Sequence, residues 1–219
     1  LCNAGATGSF TLSSSGGTPG YGYTITPTGA SNGIGVFTGL TAQTYTITMK
    51  NAAGCTFTLT NTINQPTALG LTLTPTPITC NGAANGTITA AGSGGTSPYQ
   101  YSLDGAAYQA GTSFTGVSVG THSVTIRDNN NCTLTRTVSI TQPTALAVTF
   151  TANPTACVGA TGTATIGVTG GTPAYTYSVD GTSSSANPAT LAFGSHTVTV
   201  RDLNGCLITG TFNTPMVTG

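Results

Sequence analysis

The chain has 219 residues and no net formal charge, with four basic residues and four acidic ones, all aspartate. At 4% charged, against about 25% in an ordinary domain, it can neither neutralise a phosphate backbone nor hold to an anionic lipid surface, so nucleic acid and membranes are poor partners. Threonine supplies 49 residues, which favours strand over helix and leaves hydroxyls to do the solvating that charge usually does.

No apolar run reaches the roughly 18 residues that mark a spanning helix, so no membrane insertion is expected. The opening on Leu1 and Cys2 falls inside a repeat and reads as a mature fragment or a window on something longer.

In chain order, one pattern occurs three times, about every 77 residues. The first copy has GGTPGYGYTI from Gly16-Gly17, carrying Tyr21 and Tyr23, and then QTYTITMKNAAGC, which contains Tyr45 and ends at Cys55. The second has GGTSPYQYSLDG from Gly94-Gly95, with Tyr99 and Tyr101, and then GTHSVTIRDNNNC, with His122 and Cys132. The third has GGTPAYTYSVDG from Gly170-Gly171, with Tyr175 and Tyr177, and then GSHTVTVRDLNGC, with His196 and Cys206. A period above the solenoid range of about 20 to 50 residues makes each copy large enough for a small domain.

Period-two alternation predicts strands with one buried face. In the second copy these fall near 70 to 76, 86 to 92, 98 to 104, 113 to 117, 121 to 128 and 132 to 141, with a short edge strand near 107 to 110. Asp104-Gly105, Asp180-Gly181 and Asn204-Gly205 are hairpin signals. The pattern predicts an all-β chain, a tandem array of three immunoglobulin-like antiparallel β-sandwich domains forming an elongated rod. The expected limits are 1–66, 67–143 and 144–219, joined at Gln65-Pro66-Thr67-Ala68-Leu69 and Gln142-Pro143-Thr144-Ala145-Leu146, where proline stops ladder pairing. The first copy lacks the leading strand of the others, which predicts an exposed sheet edge.

Six cysteines, two per copy, indicate a disulfide framework and an oxidising, extracellular setting. Pairing within each copy, Cys2 with Cys55, Cys80 with Cys132 and Cys157 with Cys206, leaves no thiol over and is the favoured arrangement. Its difficulty is that the A–B and F–G turns of an immunoglobulin sandwich lie at opposite ends. The rival staples neighbours, Cys2 with Cys132 and Cys80 with Cys206, leaving Cys55 and Cys157 to partners outside these 219 residues.

Nothing in the sequence carries catalysis. Tyr45, His122 and His196 occupy one position of the repeat, and a position that accepts a phenol or an imidazole suits a packed ring with a polar tip better than a catalytic base. Asp128 and Asp202 read as turn residues bonding their own backbone. With one aspartate per turn and no glutamate, calcium binding can be at most weak, no cysteine or histidine pair has zinc-ligand spacing, and no motif calls for a cofactor. The repeated tyrosines could stack on sugars, but packing them within the sandwich is the simpler use. Asn85-Gly86-Thr87 and Asn131-Cys132-Thr133 match a glycosylation pattern that is frequent by chance in so threonine-rich a chain.

The openings Cys80-Asn81-Gly82 and Cys157-Val158-Gly159, the GGTxPYxYS block, the alternating strand ending in Asp, the NGC turn and the closing QP together resemble the SprB repeat. This unit recurs many times in very large surface adhesins of gliding bacteria and in proteins exported by type IX secretion. The chain departs from it at Ala4-Gly5, at Lys50-Asn51, at Thr214-Pro215 and in having no Trp. The resemblance implies a cell-surface protein presented as a long filament and contacting a substratum or polysaccharide. The expected function is thus a non-catalytic structural or adhesive segment, with neighbouring repeats as partners and self-association into filaments. The alternative is a spacer or carbohydrate-binding module of a secreted hydrolase.

Overall fold

The computed structural model describes residues 2–153, 161–184 and 189–215, and all of their regular structure is strand. The first copy contains β1 (Gly8–Thr11), β2 (Gly22–Thr26), β3 (Ser31–Asn32), β4 (Val36–Leu40), β5 (Thr44–Lys50) and β6 (Thr56–Thr62). The second contains β7 (Gly70–Thr76), β8 (Gly86–Ser93), β9 (Gln100–Leu103), β10 (Ser113–Val117), β11 (Gly120–Arg127) and β12 (Thr133–Ile140). The third contains β13 (Ala147–Asn153), β14 (Gly162–Thr169), β15 (Thr176–Val179), β16 (Thr182–Ser184), β17 (Ala189–Leu191), β18 (Gly194–Arg201) and β19 (Leu207–Thr214).

The chain divides into two compact units, Leu1–Thr72 with Ala90–Thr112 and Ser123–Arg136, and Leu73–Thr89 with Ser113–His122 and Thr137–Gly219. The middle copy contributes to both.

In the first unit, β1 pairs with β4, while a second sheet runs β3-β2-β5-β6. Alternation in β5 sends Tyr45 and Ile47 inward to meet Tyr23, Ile25, Phe37 and Leu40. In the second unit, the third copy forms sheets β13-β14-β17 and β16-β15-β18-β19, with Ile166, Val179, Val198 and Val200 as its core. The middle copy follows the same plan, β10-β8-β7 and β12-β11-β9. An A-B-E sheet with a C-F-G sheet, all antiparallel, is immunoglobulin-like topology.

The expected edge strand near 107 to 110 is reduced to one bridge, Tyr101 to Gln109, whereas the third copy has β16 in the corresponding place. Both hairpins enter through an Asp-Gly pair with positive φ at each residue, 47° and 78° at Asp104-Gly105 and 49° and 79° at Asp180-Gly181, the geometry of a type I′ turn. Threonine hydroxyls pair across the outer faces, Thr44 with Thr62 at 2.9 Å, Thr125 with Thr135 at 2.8 Å and Thr199 with Thr209 at 3.2 Å. Cross-strand hydroxyl pairs of this kind stabilise a sheet without charge.

Candidate functional site: the stapled joint

One arrangement of side chains is built twice, once in each unit, around the Gln-Pro-Thr-Ala-Leu segments. In the first unit the Asn3 side-chain amide donates to the Pro66 carbonyl at 3.0 Å, and the Ala4 amide donates to Gln65 Oε1 at 2.7 Å. In the second unit the Asn81 amide donates to the Pro143 carbonyl at 3.0 Å, and the Gly82 amide to Gln142 Oε1 at 2.9 Å. The residue after each opening cysteine thus holds the segment that closes the same copy.

The other side of each joint comes from the following copy. Gly95 N donates to Thr67 O at 2.9 Å, and Gly171 N to Thr144 O at 2.9 Å. Gly94 and Gly170 have positive φ, 64° and 73°, and a Cβ on either would lie 1.9 Å from the carbonyl oxygen of Ala68 or Ala145. Only glycine allows so close a backbone approach.

Asp128 and Asp202, both buried, bind these glycine loops to the closing turns. Asp128 Oδ2 accepts from Thr96 N at 2.9 Å, and its Oδ1 accepts from Asn130 N and Cys132 N, each at 2.9 Å. Burial pushes this carboxyl up, but the amides of Thr96, Cys132 and Asn130 outweigh it and hold it below its ordinary value. Asp202 repeats the arrangement, accepting from Thr172 N and Cys206 N at 2.8 Å each. Burial raises it, and the amides of Thr172, Cys206, Asn204 and Gly205 bring it below the usual carboxylate range. Their oxygens are thereby committed to backbone donors.

Disulfides Cys2–Cys132 and Cys80–Cys206 cross the joints, each with Cα atoms 5.6 Å apart. This corrects the within-copy pairing: Cys2 does not join Cys55, Cys80 does not join Cys132, and Cys206 is not available to Cys157. The physical reason is the placement of the two turns. Cys80 lies between β7 and β8, an A–B turn, and Cys132 between β11 and β12, an F–G turn; an immunoglobulin sandwich has these turns at opposite ends, and a disulfide bridges Cα atoms only within about 7 Å. Cys55 carries a free, exposed thiol, and Cys157 lies outside the described residues.

The interchangeable ring position has one geometry in all three copies. The Tyr45 hydroxyl donates to Thr41 O at 3.0 Å, His122 Nε2 to Ser118 O at 3.0 Å and His196 Nε2 to Ala192 O at 2.9 Å. A ring at the start of strand F bonding back across the E–F corner is the tyrosine-corner arrangement. His196 also meets Asp180 Oδ2 through Nδ1 at 2.7 Å, so both ring nitrogens face acceptors. That contact with Asp180 raises the imidazole above its ordinary value, although burial opposes it, and the His196 contact in turn lowers Asp180.

The tyrosines are engaged with the protein itself. The hydroxyls of Tyr21, Tyr99 and Tyr175 donate to Gly16 O, Gly94 O and Gly170 O, holding the glycine loops. Tyr23 and Tyr101 are buried, and Tyr177 packs against the third core. Sequence reasoning read the glycine pairs and QPTAL as punctuation and missed Asn3, Asn81, Gln65 and Gln142. Their signal was present in the repeated Cys-Asn and Gln-Pro pairs.

Comparison with protein families matches the SprB repeat at residues 72–107 and 149–183. Comparison with curated proteins gives no match. Among solved structures, the chain is similar to the N-terminal eight immunoglobulin domains of Down Syndrome Cell Adhesion Molecule isoform 1.30.30, at 10% identity and a TM-score of 0.29, covering 97% of this chain and 39% of that one. It is also similar to the structure of Dpr2 Ig1-Ig2 in complex with DIP-Theta Ig1-Ig3, at 9% identity and a TM-score of 0.32, covering 90% of each chain.

Proposed function

We propose that this chain, a carrier of SprB repeats, is a non-catalytic structural and adhesive segment of a large extracellular cell-surface filament serving attachment or gliding. SprB repeats occur in cell-surface proteins, and disulfides suit an oxidising exterior. Among the described residues no helix is long and apolar enough to cross a membrane.

The observation that carries the reading is the joint. Its glycines, aspartates, asparagines and cysteines hold one copy to the next, so these repeated side chains serve assembly. Further repeats are the natural partners, each joint extending the array by one copy, with domain limits near 66 and 143. A polysaccharide or solid substratum is the external partner, and export by type IX secretion is the route to the surface.

Small-angle scattering tests the structural part. Strands of about 7 to 9 residues at about 3.3 Å per residue are about 23 to 30 Å long, and turns at both ends bring each copy to about 30 to 37 Å, so three copies in a row should span about 90 to 110 Å. A compact globule would overturn the array. Beads coated with the chain test the adhesive part: they should be retained on polysaccharide-coated glass above beads coated with the reduced and alkylated chain, and equal retention would remove that role.

A further inference from the structure

The chain has four basic residues, and three of them, Lys50, Arg127 and Arg201, hold one position of the repeat. Each is the last residue of strand F, in β5, β11 and β18. Alternation places it on the outer face of the sheet, away from the side that sends Tyr45 and Ile47, Val124 and Ile126, or Val198 and Val200 inward. In register it stands against one place on strand C: Lys50 against Gly22, Arg127 against Gln100 and Arg201 against Thr176.

The middle copy covers its own cation. The Arg127 guanidinium lies 4.1 Å from the centre of the Tyr108 ring and donates through Nη2 to Gln100 Oε1 at 2.6 Å. It thus has a flat ring on one face and an oxygen at its edge, and it is half-buried.

The first and third copies lack both covers. The row that holds Tyr108, beside the bridge from Tyr101 to Gln109, holds Ser31 opposite Thr24 in the first copy and Ser183 opposite Ser178 in the third. A groove is left on each outer face. In the first copy it has about 370 Å³ and is lined by Thr24, Ser31, Thr48 and Lys50. In the third it has about 680 Å³ and is lined by Ser178, Ser183, Thr199 and Arg201. Lys50 and Arg201 are exposed, and among the described residues neither pairs with an aspartate or donates a side-chain hydrogen bond.

The chemistry of the grooves selects an occupant. Every aspartate of the chain already accepts from a backbone amide: Asp104 from Ser123 N at 2.8 Å, Asp180 from Thr197 N at 2.9 Å, and Asp128 and Asp202 within the joints. A second copy of the chain therefore has no uncommitted side-chain carboxylate to offer Lys50 or Arg201. A nucleic acid would need many more cations than one per groove. A hydroxyl-lined groove with a single cation matches a sugar unit that carries a single carboxylate.

We propose that the outer-face grooves of the first and third copies each bind a uronic acid unit of an acidic polysaccharide, its carboxylate on Lys50 or Arg201 and its hydroxyls on the flanking serines and threonines. The proposal rests on the reading of the chain as an adhesive segment, and it names the class of polysaccharide and the surface that holds it. Both cations donate charge-assisted hydrogen bonds, and the planar fork of Arg201 fits a carboxylate through two of them. In the middle copy Gln100 and Tyr108 take the places of the carboxylate oxygen and the sugar ring, so that groove is closed from within. An exposed ion pair is weak alone, which makes each groove a low-affinity site best read residue by residue.

The test titrates the isotope-labelled 219-residue chain at low salt with trimers of galacturonate and of mannuronate, following the backbone amide resonances. Those of Thr48, Lys50, Thr199 and Arg201 should shift saturably with at least one trimer, and those of Thr125 and Arg127 should stay in place. The methyl ester of the same trimer keeps the ring but not the charge, and it should bind about tenfold more weakly. Arg201→Gln should remove the shift at Thr199 and leave that at Thr48, and Lys50→Gln should do the reverse; both substitutions fall on exposed positions. Tyr108→Ser with Gln100→Thr gives the middle copy the groove residues of the third, and Thr125 and Arg127 should then shift as well.

Absence of saturable shifts with both trimers, or equal binding of acid and ester, overturns the proposal. So does a Tyr108→Ser, Gln100→Thr chain that folds and gains no shift at Thr125. A failed titration with bead retention intact removes the grooves and leaves the adhesive reading standing. A successful titration without bead retention does the opposite, so the two readings fail separately.

Discussion

The first and third copies share a topology but differ in what covers the outer strand of the C-F-G sheet. In the third, β13 puts Val148 and Phe150 against Ile208, Gly210 and Phe212, so tightly that a Cβ on Gly210 would lie 2.8 Å from the Phe150 ring. In the first, every residue of β6 is exposed. The corresponding face is therefore half-buried under β13 in the third copy and exposed in the first.

The largest difference should come from the staples. In the chain-entropy account each crosslink between residues about 130 apart contributes on the order of 5 kcal/mol. Since the two loops overlap in sequence, their effects should not add. Reduction should lower the urea midpoint of the joints greatly and that of the first core much less, read by hydrogen exchange under denaturant. Mapping of non-reduced peptides should recover Cys2 with Cys132 and Cys80 with Cys206, and a peptide joining Cys80 to Cys132 would break the comparison.

Next in size is Asp128→Ala, which strands three backbone amides and should cost about 2 to 4 kcal/mol, measured by urea unfolding. Asn51→Ala in the first copy should cost less, since its turn is exposed. Phe150→Ala should cost about 2 kcal/mol, less than a fully buried ring, and should raise exchange in β13 and in the second half of β14, converting the third copy toward the first.

The smallest effects are those of pH, and their signs separate the copies. Asp180 and Asp202 are depressed below 3.8 in the fold, so their stabilisation is complete above pH 3.8 and lost as pH falls through the folded values. His196 is raised above 6.5, so its contribution is complete below pH 6.5 and lost as pH rises through the folded value. The third copy should therefore be most stable between about pH 3.8 and 6.5, whereas Tyr45 and Asn51 give the first copy no such window. His196→Tyr should flatten the upper limb of the stability profile, and an unchanged limb would show that the His196–Asp180 contact contributes nothing.

Much of the strand layout was legible because burial on one face writes period two into the sequence. The strands at 70 to 76 and 113 to 117 fall where alternation and turn residues put them, and the aspartates at 128 and 202 bond to turn amides as their place before a tight turn indicates. The pairing of cysteines was not legible from counting. Regular spacing of about 50 residues reports that the copies are alike, and it is silent on which end of a copy each turn occupies. The geometric objection to within-copy pairing came from topology, and topology was right. The need for Gly94 was hidden for a related reason: it arises from the Ala68 carbonyl, 26 positions earlier, and no local pattern records such an approach.

The crosslinks also redraw the route by which the chain could carry a load. A pull applied at Cys2 and Cys206 crosses to Cys132 through one disulfide, runs along the backbone to Cys80, and crosses to Cys206 through the other. Only the residues between Cys80 and Cys132 lie on that route, so the covalent tether can lengthen to about 180 Å, against about 700 Å for the same span uncrosslinked, at about 3.5 Å per residue. Residues 2–80 and 132–206 are longer and span the same gap in parallel, so the load is shared among three stretches of backbone, and the fastening that holds neighbours together also sets how far they can be stretched apart.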